Sequence, residues 1–195
     1  MNLVDRAKGI LLNPKNEWAV IDTEPATVGS LYTGYIVPLA AIPPVASLIG
    51  WSLLGMSVLG FRYRVPIGSG LTGAIVYYAL GLVGVFVFAL IIDALAPSFG
   101  GQKNQIQALK VAAYSNTAAW VAGIFLLIPS LGVLAVLGSL YSLYLLYLGL
   151  PIVMKAPSDK ALGYTVVVVI VGIVLYFVIG MVVRSVVPYP VPGAM

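Results

Sequence analysis

Few side chains in this 195-residue sequence could do chemistry, and one stands out by its isolation: Asp93 is the single acid set at the end of a long apolar stretch. A carboxylate at membrane depth is costly, so by default it marks a site. Facing a bundle interior, it would hold a cation or a proton. Placed at the cytoplasmic end of its span, it would cap the following Gly-rich turn or pair with Lys103 or Lys110. The next apolar stretch opens with polar residues Asn104, Gln105, Tyr114, Ser115, Asn116 and Thr117. The Asn116 amide needs a partner in that setting, and Asp93 and Tyr141 are the candidates. Asp93, Asn116, Tyr114 and Tyr141 therefore form the candidate polar intramembrane site, read either as interhelical hydrogen bonding or as a polar cavity. Tyr141, Tyr144 and Tyr147 recur every three residues and share a broad helix face. With Trp120, Tyr77 and Tyr78 they could line a groove for a lipid or apolar ligand, with Tyr144, Tyr147 and Trp120 as its face. Packing and an interfacial aromatic belt are the plainer reading of such a stripe.

The inventory excludes most catalysis. There is no His and no Cys, which removes the commonest general base, the commonest metal ligand and every thiol chemistry. An aspartyl dyad needs two buried carboxylates sharing a proton, and only Asp93 lies within a span. Gly68-Ser69-Gly70 looks superficially like a serine motif, but no His exists and no Lys lies inside a span to serve it. The zinc motif His-Glu-x-x-His and the phosphate-binding P-loop are both missing. We read the chain as non-enzymatic, with no catalytic residue, metal or cofactor.

The elements that must position these residues follow from where charge is absent. The chain is 61% hydrophobic and 8% charged, against about 25% charged for soluble domains. Uncharged runs cover Pro25 to Phe61, Val65 to Ile92, Val111 to Met154 and Ala161 to Val183. A spanning helix needs about 20 apolar residues. The first run gives a span over 31–54, kinked or broken by Pro38, Pro43 and Pro44. The second gives a span over 70–95. The third run, as one helix, would reach about 66 Å against a hydrocarbon core of about 30 Å, so it must fold back. Pro129-Ser130-Leu131-Gly132 is the turn signal, giving spans over 111–128 and 131–154. The last run gives 162–183. The expected fold is an all-α membrane bundle of five transmembrane helices. Residues 1–30 form an N-terminal segment, residues 31–187 the five-span domain, and residues 188–195 a Pro-rich extended tail.

Lys and Arg near the spans set orientation. Arg6, Lys8, Lys15, Lys103, Lys110, Lys155 and Lys160 share one side of a five-span chain, and Arg62, Arg64 and Arg184 the other. Seven against three predicts a cytoplasmic N-terminus. The net charge of +4 reports this orientation rather than a nucleic-acid partner. No cleavable signal peptide is expected, because residues 1–24 mix both charge signs. The first twelve residues read as an amphipathic helix. Leu3, Val4, Ala7, Ile10 and Leu11 lie on one face, with Asp5, Arg6 and Lys8 off it. Such a helix would lie in the membrane interface, with Trp18 as an aromatic anchor, or cap the bundle. Small residues at i,i+4 spacing (Gly70 with Ala74, Ala118 with Ala122, Ala119 with Gly123, Gly138 with Ser142) mark close helix approaches.

Certain positions recur as a pattern. They are Asn13-Pro14 with Trp18; Tyr32 to Pro38 (YTGYIVP); Asp93; Phe99-Gly100-Gly101; Ala112-Ala113-Tyr114-Ser115; Ile128-Pro129; and Tyr141 to Tyr144 followed by Gly149-Leu150. In this order the sequence resembles the Yip family (Ypt/Rab-interacting membrane proteins), in its short bacterial branch, over roughly residues 5 to 185. Trp18, Pro38, Gly100, Gly101, Pro129 and Gly149 are the family-motif positions. The resemblance implies a five-span protein with a cytoplasmic N-terminus. Eukaryotic members are linked to prenylated Rab-type GTPases and carry a long cytoplasmic N-terminal region. Here about 30 residues precede the first span, which argues against a Rab-type GTPase partner.

The leading expectation is a multi-pass inner membrane protein acting as a scaffold, adaptor or membrane organiser. Its partners would be the lipid bilayer and other membrane proteins, or a second copy of itself. The alternatives are a small ion or solute transporter using Asp93 and Asn116, and a lipid-binding membrane protein using the tyrosine face.

Overall fold

The structure is a computed structural model that describes residues 2–58 and 61–186. The expected Pro-rich tail at 188–195 lies outside the described residues. Helix α1 (Leu3–Leu12) starts where the Asn2 side chain accepts from the Asp5 N–H at 2.8 Å. It stops at Asn13, because the residue before a proline is pushed out of helical geometry. Pro14 then opens α2 (Pro14–Thr23), at a first-turn position where its missing N–H costs nothing. The two short helices fold back on each other and bury Ile10, Trp18 and Ile21, each at most 1% exposed.

A capping box between Thr27 and Ser30 starts the next helical segment at Val28, three residues before the expected boundary. The expected breaks are present. Short helices α3 (Val28–Leu31), α4 (Val37–Ala40) and α5 (Ile42–Leu48) are separated by a π turn at Tyr32–Ile36 and an interruption at Ala41. A second π turn, Ile49–Leu54, ends the segment. The Ala41 interruption falls between Pro38 and Pro43, where missing N–H groups cannot continue the ladder.

Gly55, at φ +70°, then reverses the chain. A small antiparallel hairpin follows, β1 (Met56–Val58) with β2 (Phe61–Tyr63), Met56 opposite Tyr63. The sequence reading had only a connection there. The hairpin is the one departure from an otherwise helical fold among the described residues.

Helix α6 (Ile67–Leu95) continues into a 3-10 turn, Ala96–Phe99. Gly100 closes it in the left-handed region at φ +74°, and the Gly101 N–H reaches back to the Ala96 carbonyl at 2.8 Å. The Phe99-Gly100-Gly101 motif is thus a helix stop. Gly101 also passes so close to the next loop that a Cβ there would lie 2.8 Å from the Met154 carbonyl.

The expected span over 111–128 is built differently. Its helix begins earlier, as α7 (Gln105–Ser115), because the Asn104 side chain caps the Ile106 and Gln107 N–H groups at 3.1 Å. It breaks at Asn116, resumes as α8 (Thr117–Ala122) and ends in a 3-10 stretch, Gly123–Leu127. Three adjacent side chains bond back to carbonyls of their own turn. Asn116 Nδ2 donates to the Ala112 O at 2.8 Å, Thr117 Oγ1 to the Tyr114 O at 2.7 Å, and Ser115 Oγ to the Ala112 O at 3.4 Å. Such bonds compete with the helix ladder and bend it. The Ser142 hydroxyl accepts from the Ala119 N–H at 3.0 Å, so a neighbouring helix satisfies a donor in the first turn of α8.

The fold-back comes at Pro129 as expected, in a 3-10 turn, Pro129–Leu131, followed by α9 (Gly132–Val153) and α10 (Ala161–Val186). Four helical segments are long and apolar enough to cross a bilayer: Val28–Leu54, Ile67–Phe99, Pro129–Val153 and Ala161–Ser185. Helix α7 is the centre of the bundle, with every residue from Ala108 to Ser115 buried. Small residues admit the close contacts the sequence suggested: a Cβ on Gly138 would lie 2.8 Å from the Ala118 carbonyl. The bundle therefore has a near end, where α1, α2, the Gly100 turn and the α9–α10 loop gather. Its far end carries the β-hairpin and the Pro129 turn.

Candidate functional site

The densest chemistry lies at the near end, and it was not the chemistry anticipated. Arg6 sits on α1 and is only 4% exposed. Its two terminal nitrogens pair separately, with Glu17 of α2 and with Glu24, the C-cap of α2. Its guanidinium also lies over the Tyr114 ring, 5.7 Å from the centroid. Burial alone would lower the Arg6 pKa. The Glu24 hydrogen bond and the charges of Glu24 and Glu17 outweigh it and hold the group above the ordinary arginine value. One fixed cation thus joins both N-terminal helices to the central helix.

Further polar bonds strengthen that junction. Lys110 of α7 donates to the Ile21 carbonyl at 2.8 Å and the Glu24 carbonyl at 2.6 Å. A cation at the last carbonyls of α2 is where the helix dipole favours one. Gln107 Nε2 reaches the Asp22 carbonyl at 2.9 Å, and Lys155 pairs with the Asp22 carboxylate. Lys155 is held at φ +56°, the one non-glycine residue in the left-handed region among those described. Beneath these bonds, Trp18 is fully buried against Gly149 of α9, where a Cβ would come within 2.7 Å of the indole. Trp18 meets the Tyr114 ring edge-on at 6.4 Å, and Tyr114 meets Tyr35 at 4.6 Å. The Tyr35 hydroxyl and Thr117 Oγ1 are hydrogen-bonded at 2.7 Å. A small polar cavity of about 350 Å³ opens beside Arg6, between Glu24, Ser30, Tyr35 and Tyr114.

The sequence-predicted residues are dispersed. Asp93 is half-buried near the end of α6, and its Oδ1 has no hydrogen-bond partner among the described residues. Lys110, one of its two expected partners, is committed to α2 instead. Asn116 bonds to its own helix, and Tyr141 donates to the Leu11 carbonyl at 2.8 Å, so neither meets Asp93 or the other. Neither of the two cavities described here is lined by Asp93 or Asn116. Tyr114 alone of the four reaches the Arg6 centre. On the tyrosine stripe, Tyr144 and Tyr147 face outward at about 40% exposure, while Trp120 is buried. The rings of Tyr141 and Tyr144 lie 5.6 Å apart. Of the motif positions, Trp18, Gly100, Gly101 and Gly149 make the near-end contacts above. Pro38 is on the exposed side of the broken first segment, and Pro129 makes the far-end turn.

Arg6 was the residue missed. On a helical wheel it falls among the polar positions of α1, and only the fold-back at Asn13-Pro14 brings two carboxylates over it. The available signal was Glu17 and Glu24, two acids a helical repeat of seven apart in the following segment.

The sequence profile of the Yip1 domain matches residues 8–179. The inner membrane protein YohC of Escherichia coli is 26% identical over 171 residues, spanning 86% of this chain and 88% of the relative. The protein of that name from a second strain of Escherichia coli matches to the same extent. No solved structure matches the chain.

Proposed function

The chain belongs to the Yip1 domain family, and from that premise we propose that it is a non-enzymatic membrane scaffold. In this reading it organises the bilayer and other membrane proteins, or copies of itself. It is a multi-pass inner membrane protein, and the relatives it matches are inner membrane proteins by name. The observation that carries the scaffold reading is the Arg6 junction. Arg6, Glu17, Glu24 and Lys110 are spent on one another and on the end of α2, which fastens the N-terminal helix pair to the bundle as one platform.

Two further features belong to this proposal. The broken segment 105–127 runs between the two ends, packed along α6 and α9. At 1.5 Å per residue its length is about 34 Å, enough for a hydrocarbon core of about 30 Å. Counted with the four longer apolar segments, it makes five crossings with the N-terminus in the cytoplasm. Val4 and Leu12 of α1 stay exposed, and in this topology they would rest in the headgroup region of the inner leaflet.

The test is reconstitution of the purified full chain in liposomes. A scaffold gives no ion or solute flux above protein-free vesicles. Robust uptake that Asp93→Asn abolishes would replace the scaffold with a transporter.

A further inference from the structure

The far end differs from the near end in its charge as well as its shape. All six acidic residues (Asp5, Glu17, Asp22, Glu24, Asp93 and Asp159) belong to the near end. The far end carries Arg62, Arg64 and Arg184, with no Asp, Glu or Lys beside them in the sequence. Arginine is the cation suited to phosphate, because its planar fork offers two parallel donors.

Next to the segments that carry Arg64 and Arg184 is an apolar cavity of about 470 Å³. That volume is in the range of single-ligand sites. Its walls include Pro44 and Trp51 of the broken first segment, Ala74 and Tyr77 of α6, Leu126, and Tyr176 of α10. Ser52 also lines it. Ser52 is 6% exposed, and its hydroxyl has no hydrogen-bond partner among the described residues. A buried hydroxyl without a partner is costly unless something else supplies an acceptor. Tyr63 and Val65, which bracket Arg64, both line the cavity, as does Val183, which precedes Arg184. The Arg64 side chain packs over Gly55, where an added Cβ would lie 2.5 Å from its Cγ.

We propose that this cavity holds one acyl chain of an anionic glycerophospholipid. The Ser52 hydroxyl donates to the ester carbonyl of that chain, and Arg64 and Arg184 flank the phosphate. The three requirements of such a lipid are an apolar slot, one donor at the carbonyl and cations at the headgroup, and they occur here together. The site is separate from the Tyr144–Tyr147 face and from the Arg6 centre, and it does not depend on the scaffold reading.

Native mass spectrometry of the full chain in mild detergent tests it, with phosphatidylglycerol, phosphatidylcholine or inorganic phosphate added in parallel. The wild type retains phosphatidylglycerol over phosphatidylcholine by about three- to tenfold, the range of partly solvated charge contacts. Ala74→Phe fills the slot and removes the bound phospholipid. Arg64→Gln combined with Arg184→Gln brings phosphatidylglycerol down to the phosphatidylcholine level. Ser52→Ala weakens both lipids by about fivefold, the loss of one hydrogen bond. The proposal is overturned if both lipids are retained equally by the wild type, or if Ala74→Phe binds phosphatidylglycerol as the wild type does. It is also overturned if inorganic phosphate displaces the lipid at equal concentration, which would mean an anion site with no chain slot. Should Ala74→Phe fail to fold, unchanged lipid binding by both Ser52→Ala and the double arginine variant overturns it equally.

Discussion

The two ends of this bundle reach order by opposite means. At the near end, Arg6, Lys110 and Lys155 are all partnered, and the aromatic pair Trp18 and Tyr114 fills the space beneath them. At the far end, helices meet through prolines and glycines around an apolar cavity, and the buried Ser52 hydroxyl has no hydrogen-bond partner among the described residues. In lipid there is no hydrophobic force between helices, so packing and polar bonds must hold them. The near end has both, whereas among the described residues the far end has the short β1–β2 ladder and a Val65 N–H to Trp51 carbonyl bond at 3.1 Å around its cavity. From this contrast we expect the near end to open less readily than the far end.

Substitutions at matched positions sharpen this contrast. Trp18→Ala empties a fully buried site, and it should cost about 3–5 kcal/mol in reversible unfolding from detergent. Trp51→Ala, at a half-buried position lining the far-end cavity, should cost about 1–2 kcal/mol, because less of the ring leaves packed surroundings. Equal losses would break the comparison. Arg6→Met comes next. It leaves Glu17, only 12% exposed, as an uncompensated carboxylate, at about 3 kcal/mol. Adding Glu17→Gln should recover much of that loss, and failure to recover any would mean that packing, not charge, holds the junction. Glu24 is 39% exposed and should matter less than Glu17 when changed alone. Ser142→Ala removes the acceptor for the Ala119 N–H at the helix break, for about 1 kcal/mol by the same unfolding assay. The smallest effect is expected from Lys155→Gly. Relief of the left-handed backbone offsets a half-exposed ion pair, so the midpoint should move by less than about 1 kcal/mol.

Much of the fold could be read from the sequence because lipid leaves few choices. Runs without charge located the four segments long and apolar enough to cross a bilayer. The length of the Val111–Met154 run forced the turn at Pro129, and the prolines located the break at Ala41. The break at Asn116 was not legible. It depends on Ser115, Asn116 and Thr117 bonding back to their own turn, and on Ser142 of another helix accepting a freed donor. The β-hairpin was missed because three residues per strand give too little alternation to read. Of the four residues of the candidate polar site only Tyr114 reaches the Arg6 centre, and Trp18 and Gly149 were legible only as motif positions. A helical wheel sorts residues by hydropathy, and Arg6 is buried for the opposite reason, with its charge met by Glu17 and Glu24 from a helix that folds back. Asp93 attracted attention as a lone acid, and its Oδ1 has no hydrogen-bond partner among the described residues.

The most direct measurement is the sidedness of single cysteines in intact cells, since the natural chain contains none to remove. Lys103→Cys at the near end and Ser130→Cys at the far end bracket the broken segment that supplies the proposed fifth crossing. A membrane-impermeant maleimide added from outside should label Ser130→Cys and leave Lys103→Cys unlabelled until the membrane is opened. Labelling of both from the same side would contradict five crossings, and labelling of Lys103→Cys alone would reverse the orientation.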